Sequence, residues 1–282
     1  MSELTKIGLL AGSGMMPVEI VRSCRARGIE VYVAGLQPFA DEATFLPGDT
    51  FPDGVAYVGA RLGEVGKMMK FFKAHGVTEI VMAGGIKRPS LKELIPDFEA
   101  VKMLARIALK KQSDDGLFRS VIREIESRGF HVLGIEDVVP EMMFHEGVYG
   151  RVKPSSDDMD DIRRGIEVAR ALGAVDVGQA VVVQEGIVLA VEAVEGTDSM
   201  LGRAAVLKKP GKAPVMVKIK KPGQDTRVDM PAIGIQTVEQ LKKYGMGGIA
   251  VEAGGILLIE REAVIRMADE AGIFLTGMEV DS

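Results

Sequence analysis

From Ile7 to Ile135 the chain alternates short apolar runs with longer amphipathic stretches, and this rhythm restricts the fold more than any other feature. Ile7–Ala11, Glu30–Ala34, Val55–Val58, Glu79–Ala83 and His131–Ile135 read as strands. The stretch from Gly14 to Arg27, then Leu62–Ala74, Phe98–Lys110 and Gly116–Arg128, read as helices. Gly28 falls at the C′ position that tolerates left-handed backbone, Gly76 follows the second helix, and Gly129 stops the last one. Asp114 or Asp115 is placed to cap that last helix. Strands separated by helices are joined by crossovers, so an α/β unit with a parallel sheet is expected over residues 1–136.

The chain has 282 residues, long enough for two domains. Residues 137–156 hold Pro140, Gly147, Gly150 and Pro154 with weak periodicity and read as a linker. Beyond it, residues 157–282 have another rhythm. Ser155 or Ser156 caps a helix over Asp157–Leu172, whose early Asp residues suit a helix N-terminus. Ala180–Val183 and Ile187–Val191 flank Gln184-Glu185-Gly186 as a hairpin. Ser199–Leu207, Val238–Tyr244 and Glu262–Glu270 read as helices. Met216–Ile219 and Ile273–Thr276 read as strands, and Gly248–Glu252 with Ile256–Glu260 reads as a second hairpin. Hairpins interspersed with helices predict a distinct α+β C-terminal domain.

Composition excludes several classes. A net charge of −5 and the lack of a basic stripe argue against nucleic acid as a partner. Cys24 is the single cysteine, which rules out an intrachain disulfide and fits a reducing compartment; it reads as a small buried residue. Met1–Lys6 is polar and leads directly into a strand, so no N-terminal signal is expected. No run approaches the ~18 apolar residues of a spanning helix. A cytoplasmic soluble protein is expected, with peripheral membrane contact left open. The 16 Met include three adjacent pairs, 15–16, 68–69 and 142–143, which serve as core filler or line a lipid chamber. The three His are scattered without ligand spacing: His75 and His131 read as structural and core residues, and His145 carries no assignment.

Chemistry concentrates in four places. Gly12-Ser13-Gly14 lies at the turn from the first strand into the first helix, where backbone N–H groups can bind phosphate. Pro17 stands where a dinucleotide fingerprint needs its third Gly, and no acid follows the second strand, so a nicotinamide cofactor is rejected. Gly84-Gly85, followed by Lys87 and Arg88, ends another strand, and the carboxyl ends of open sheets bind ligands. In the second half, Glu195, Thr197 and Asp198 open a helix. They serve either as its cap or, for Glu195 and Asp198, as metal ligands beside Asp225. Gln179 offers an amide to a base or sugar. Lys218, Lys221, Gln224, Asp225, Arg227 and Asp229 crowd round a Pro-Gly turn. The basic groups can hold phosphate and the acids a divalent cation, unless the segment is only a charged turn.

These motifs, taken in order, resemble one family. Gly8–Gly14 with Pro17, Ala83–Pro89, Asp114-Asp115, Asp176–Gln179, Val194–Met200, Lys221–Asp229 and Gly248–Gly254 together resemble the LpxI family, the UDP-2,3-diacylglucosamine pyrophosphatases of lipid A synthesis. The resemblance covers nearly the whole chain. It implies a Rossmann-like N-terminal domain and a distinct C-terminal one. It implies hydrolysis of the lipid-linked UDP-sugar to UMP and 2,3-diacylglucosamine 1-phosphate, with Mg2+ or another divalent cation. Asp225 is then the first choice as metal ligand or water-orienting base, with Asp198 and Asp229 behind it. The acyl chains give the Met residues a use and imply transient contact with the inner membrane face; self-association is left open. A non-catalytic nucleotide-sugar sensor or scaffold, or a transferase using an acceptor other than water, is the alternative.

Overall fold

The computed structural model describes residues 4–86, 114–227 and 230–280. The chain forms two compact units. One runs to Pro140 and takes in the segment that starts at Asp225; the other comprises 141–224 and the residues from Met230 onward.

In the first unit five strands form one sheet: β1 (Lys6–Ala11), β2 (Glu30–Gln37), β3 (Ala56–Arg61), β4 (Glu79–Ala83) and β5 (His131–Leu133). Their order is β3-β2-β1-β4-β5, and every neighbouring pair is parallel. The parallel sheet is as expected from the alternation, while the strand order, which is that of the first five strands in doubly wound sheets, was not read from the sequence. The central strands β1, β2 and β4 are buried on both faces, which explains their continuous apolar runs. Leu10, Ala34, Ile80 and Val132 meet Val65, Met68, Met69 and Phe72 of α2 (Val65–Ala74) and Ile122 and Ile125 of α3 (Asp114–Glu126). The alternate residues Ile7, Leu9, Val31, Val33 and Val81 are buried as well. Helix α1 (Met16–Ala26) buries Pro17, Val18, Ile20, Val21 and Cys24, and Pro17 lies in its first turn. Gly28 follows its C-cap at φ +74°. The expected helix over 98–110 lies outside the described residues. Strand β5 is shorter than expected: Gly134 turns the chain into a one-turn helix, α4 (Ile135–Val138), and donates its N–H to Asp137 Oδ2 at 3.1 Å. His131 is exposed rather than in the core, because the edge strand turns it outward. His75 is structural as expected, with its ring against Tyr32 and its Nδ1 2.9 Å from the Phe71 carbonyl.

The second unit holds a six-stranded sheet in the order β6-β13-β11-β9-β7-β8. Its strands are β6 (Gly147–Tyr149), β7 (Ala180–Gln184), β8 (Ile187–Val191), β9 (Val215–Lys218), β11 (Gly248–Glu252) and β13 (Phe274–Met278). Strands β9, β11 and β13 are mutually parallel, flanked by antiparallel partners. The β7–β8 hairpin forms as expected. Glu185 and Gly186 both take positive φ, as a two-residue type I′ turn requires. Asp161, 2% exposed, accepts from both turn N–H groups, at 3.0 and 2.6 Å. The second expected hairpin does not form. Strand β11 pairs with β9 and β13, while β12 (Leu257–Leu258) pairs in parallel with β10 (Ala232–Ile233). Both flanks of Gly254-Gly255 are buried apolar runs, which belong in separate sheets as readily as in a hairpin.

Period-two burial divides this sheet cleanly. Val181, Val183, Val215 and Val217 face Ile162 and Ala169 of α5 (Ser156–Ala174). Ala180, Val182, Met216, Ile249 and Leu275 face α6 (Thr197–Leu207), α7 (Ile235–Tyr244) and α8 (Arg261–Ala271). Ser155 caps α5, accepting from Asp158 N–H while its own N–H donates to the Asp158 carboxylate at 2.7 Å. Gly165 lets α5 approach the sheet: a Cβ there would stand 2.4 Å from Val217 Cγ2 and 2.9 Å from Val217 Cβ. Val217 is fully buried, and β-branching leaves it few rotamers to escape into. Ala would gain about 1 kcal/mol of helix propensity over Gly. Overpacking costs about 1–3 kcal/mol and should win. Denaturant unfolding of Gly165→Ala should therefore show a less stable second unit; equal or greater stability would contradict this packing.

Candidate active site

In the first unit the two glycine turns are interlocked. Ser13 N–H donates to Gly85 O and Gly85 N–H to Ser13 O, each at 2.9 Å, and Gly12 N–H donates to Ala83 O at 2.8 Å. Neither turn tolerates a side chain between them. A Cβ on Gly12 would lie 2.6 Å from Gly85 O, and one on Gly84, at φ +93°, 2.7 Å from Ser13 O. The sequence expectation of N–H groups facing an anion is thus modified. Those of Gly12, Ser13 and Gly85 are engaged across the turns, and the start of α1 from Gly14 onward is what remains. The turns do come together at the carboxyl ends of adjacent strands β1 and β4, where open sheets place ligands. Lys87 and Arg88 lie outside the described residues.

Beside Gly84 an apolar cavity of about 180 Å³ opens along the sheet. Leu10, Leu62, Met68, Met69, Met82 and Ile86 are among its walls. Of the Met pairs, 68–69 lines this cavity, while 142–143 is core of the second unit and Met15 is 40% exposed.

Asp225 and Arg227 join the first unit. Arg227 Nε and Nη2 grip the two Asp225 oxygens at 2.9 and 2.8 Å, and the Arg227 N–H adds a longer bond at 3.3 Å. Arg227 Nη1 also lies 3.4 Å from Glu126 at the end of α3. Thr226 donates its hydroxyl to Glu136 Oε1 at 2.5 Å. The Arg227 guanidinium, with a smaller contribution from Arg119, holds the Asp225 carboxyl below the usual carboxylate range against the opposing effect of burial. Asp225 is therefore ionised at neutral pH. Both of its oxygens are taken up by Arg227, which favours an electrostatic or ligand role over that of general base.

The second unit gathers another group at the ends of β7 and β9 and beyond β8. Ala180 pairs with Lys218, and Glu192 N–H donates to Ala180 O at 2.8 Å. Glu192 is 7% exposed; it accepts the Thr197 hydroxyl at 2.5 Å and the Gln179 N–H at 3.2 Å. The Gln179 side-chain oxygen is buried and has no hydrogen-bond partner among the described residues. Lys218, 9% exposed, reaches the Ala232 carbonyl at 3.5 Å. Lys221-Pro222-Gly223-Gln224 is a tight turn, with Gly223 at φ +76° and Gln224 N–H 3.2 Å from Lys221 O. Gln224 is buried and its side-chain oxygen takes the Lys221 N–H, while Lys221 Nζ pairs with Asp176 at 2.7 Å. The helix cap differs from expectation. Gly196, at φ +80°, is the N-cap of α6, so Thr197 is its first residue and Asp198 stands exposed in the first turn. Glu195 pairs with Arg203.

Among the described residues no group of three His, Cys, Asp or Glu is disposed to hold a metal ion. Of the acids expected to bind one, Asp229 lies outside the described residues. Glu195 and Asp198 belong to the second unit and Asp225 to the first. Both Asp225 oxygens are bonded to Arg227. Glu192 and Glu136 escaped the sequence reading. Their signal was present: each is an acid set directly at the exit of an apolar strand run.

Two family models match the chain, one for the LpxI N-terminal domain over residues 6–142 and one for the LpxI C-terminal domain over residues 145–276. The chain is also 41% identical over 283 residues to the UDP-2,3-diacylglucosamine pyrophosphatase LpxI of Caulobacter vibrioides, with 98% of each chain covered. Both halves match in order, and the identity extends over nearly the whole length: the chain belongs to the LpxI family.

Proposed function

We propose that this chain hydrolyses the pyrophosphate of UDP-2,3-diacylglucosamine, releasing UMP and 2,3-diacylglucosamine 1-phosphate. The observation that carries the reading is the identity over nearly the full length with a relative named for that activity. The local chemistry supports it. Charge builds on phosphate oxygens as a pyrophosphate breaks, and fixed cations stabilise it. Arg227, Lys218 and Lys221 are cations with defined partners rather than loose surface groups. Gln179 holds an amide oxygen with no partner among the described residues, an acceptor suited to an N–H or hydroxyl of the nucleotide. Asp225, ionised and clamped, carries the negative charge that orients Arg227.

Magnesium, or another divalent cation, stays part of the proposal as further neutralisation of the pyrophosphate. Asp225 would serve it only if Arg227 released at least one oxygen. The cavity lined by Met68, Met69 and Met82 suits an acyl chain. No described helix is long and apolar enough to cross a membrane. The proposal therefore has the enzyme take its diacyl substrate at the inner membrane face by transient contact.

The direct test is UMP release from UDP-2,3-diacylglucosamine, with and without EDTA, beside UDP-N-acetylglucosamine. Turnover of the diacylated substrate alone, lost with EDTA and restored by Mg2+, is expected. Equal turnover of both sugars would remove the acyl cavity from the account. No UMP from either would overturn the reading.

Asp225→Ala should lower single-turnover UMP release by about 10²-fold or more. Loss of a partly exposed ion pair costs only about 0–1 kcal/mol, so melting should shift by no more than about 4 °C. Near-normal hydrolysis would exclude Asp225 from the mechanism. The sign of its pH dependence also follows. The folded pKa is lowered, so the stabilising charge is present above the unfolded value and lost as pH falls through the folded one. An NMR titration of the Asp225 carboxylate should have its midpoint below that of an unfolded Asp, about 3.9; a midpoint in the neutral range would contradict the clamp.

A further inference from the structure

We propose that Glu136 is a positioning residue for the Asp225 segment, acting through the hydroxyl of Thr226. The proposal rests on the functional reading above and adds to it the group that fixes the segment in place. Asp225, Thr226 and Arg227 lie outside any helix or strand, so side-chain bonds must set where the Asp225 carboxylate points. Arg227 is bonded to Asp225 two residues away, which shapes the segment locally and cannot by itself anchor it to the sheet. The anchors come from far along the chain. Glu126 meets Arg227 at 3.4 Å, a long contact between groups each about a third exposed. Glu136 meets Thr226 at 2.5 Å across 90 positions of sequence, and is the stronger of the two.

The Glu136 carboxylate is built into its place. It folds back over Gly134, where a Cβ would stand 2.4 Å from Glu136 Oε2 and 2.8 Å from Oε1. Any side chain at position 134 would push the carboxylate away from Thr226. The second oxygen, Oε2, is buried and has no hydrogen-bond partner among the described residues. An unpaired buried carboxylate oxygen costs stability, so this acid is a poor choice for packing alone. Glu136 thus sets the position of Thr226, and through it that of the neighbouring Asp225.

The experiment measures kcat and KM for UMP release, with melting temperature, for Thr226→Val, Thr226→Ser, Glu136→Gln and Asp225→Ala. Misplacing a catalytic group by about 1 Å can cost about 10²-fold. Thr226→Val should lower kcat by about 10- to 100-fold with KM little changed, and should lower melting by a few degrees because Glu136 Oε1 loses its donor. Thr226→Ser, which keeps the hydroxyl, and Glu136→Gln, which keeps an acceptor oxygen, should each recover most of the rate. If Asp225→Ala is inactive and Thr226→Val turns over normally, the positioning role is overturned while the functional reading stands. Loss of kcat in Thr226→Val matched by a collapse in melting, or no recovery in Thr226→Ser, also overturns it. If Asp225→Ala itself turns over normally, the failure lies in the functional reading.

Discussion

A carboxylate gripped at both oxygens by a guanidinium is the contact on which the account turns. Asp225 and Arg227 lie two residues apart in a segment with no regular structure. Their pairing fixes the carboxylate as an anion and the guanidinium as a cation with a defined face. Neither group is well suited to proton transfer in this state. The guanidinium suits a reaction whose difficulty is charge on phosphate oxygens, and the carboxylate holds it in place. The pair is only partly buried, so it contributes little to stability, and its use must be sought in chemistry.

Around this pair the fold supplies rigidity of two kinds. In the first unit the turns after β1 and β4 are bonded to each other through backbone groups and exclude side chains from the space between. This makes a stiff edge at the carboxyl end of the sheet. In the second unit a single buried carboxylate, Glu192, ties the start of α6 to the residue before β7. Glu136 does the corresponding work for the Asp225 segment. In each unit, then, an acid placed just beyond an apolar strand run takes the hydroxyl of a threonine in or beside a segment that the sequence had singled out.

Much of this was legible in the sequence. The alternation of apolar runs and helical stretches gave the parallel sheet, because both are local patterns set by burial on two faces. Gly186 between two apolar runs marked the β7–β8 hairpin, since its positive φ suits Gly, while Glu185 takes positive φ without such a preference. The turn at Pro222-Gly223 was equally plain. What was not legible depended on partners distant in sequence. Gly254-Gly255 looks like a hairpin turn until β11 is seen to take β9 and β13 as neighbours instead. Thr197 looked like a helix cap, but Glu192 claims its hydroxyl and Gly196 takes the cap position. His131 looked like core until the edge position of β5 turned it outward. Phosphate-like glycine turns could not be told from turns that satisfy each other, and at Gly12, Ser13 and Gly85 the second holds.

The central claim is that water, and no other acceptor, cleaves the pyrophosphate. It is tested most directly by running the reaction to completion on UDP-2,3-diacylglucosamine in H2(18)O and weighing both phosphate products by mass spectrometry. Hydrolysis puts one atom of 18O into either UMP or 2,3-diacylglucosamine 1-phosphate, and the labelled product identifies the phosphorus attacked. Cleavage with 18O in neither product would mean transfer to another acceptor, and would contradict the account.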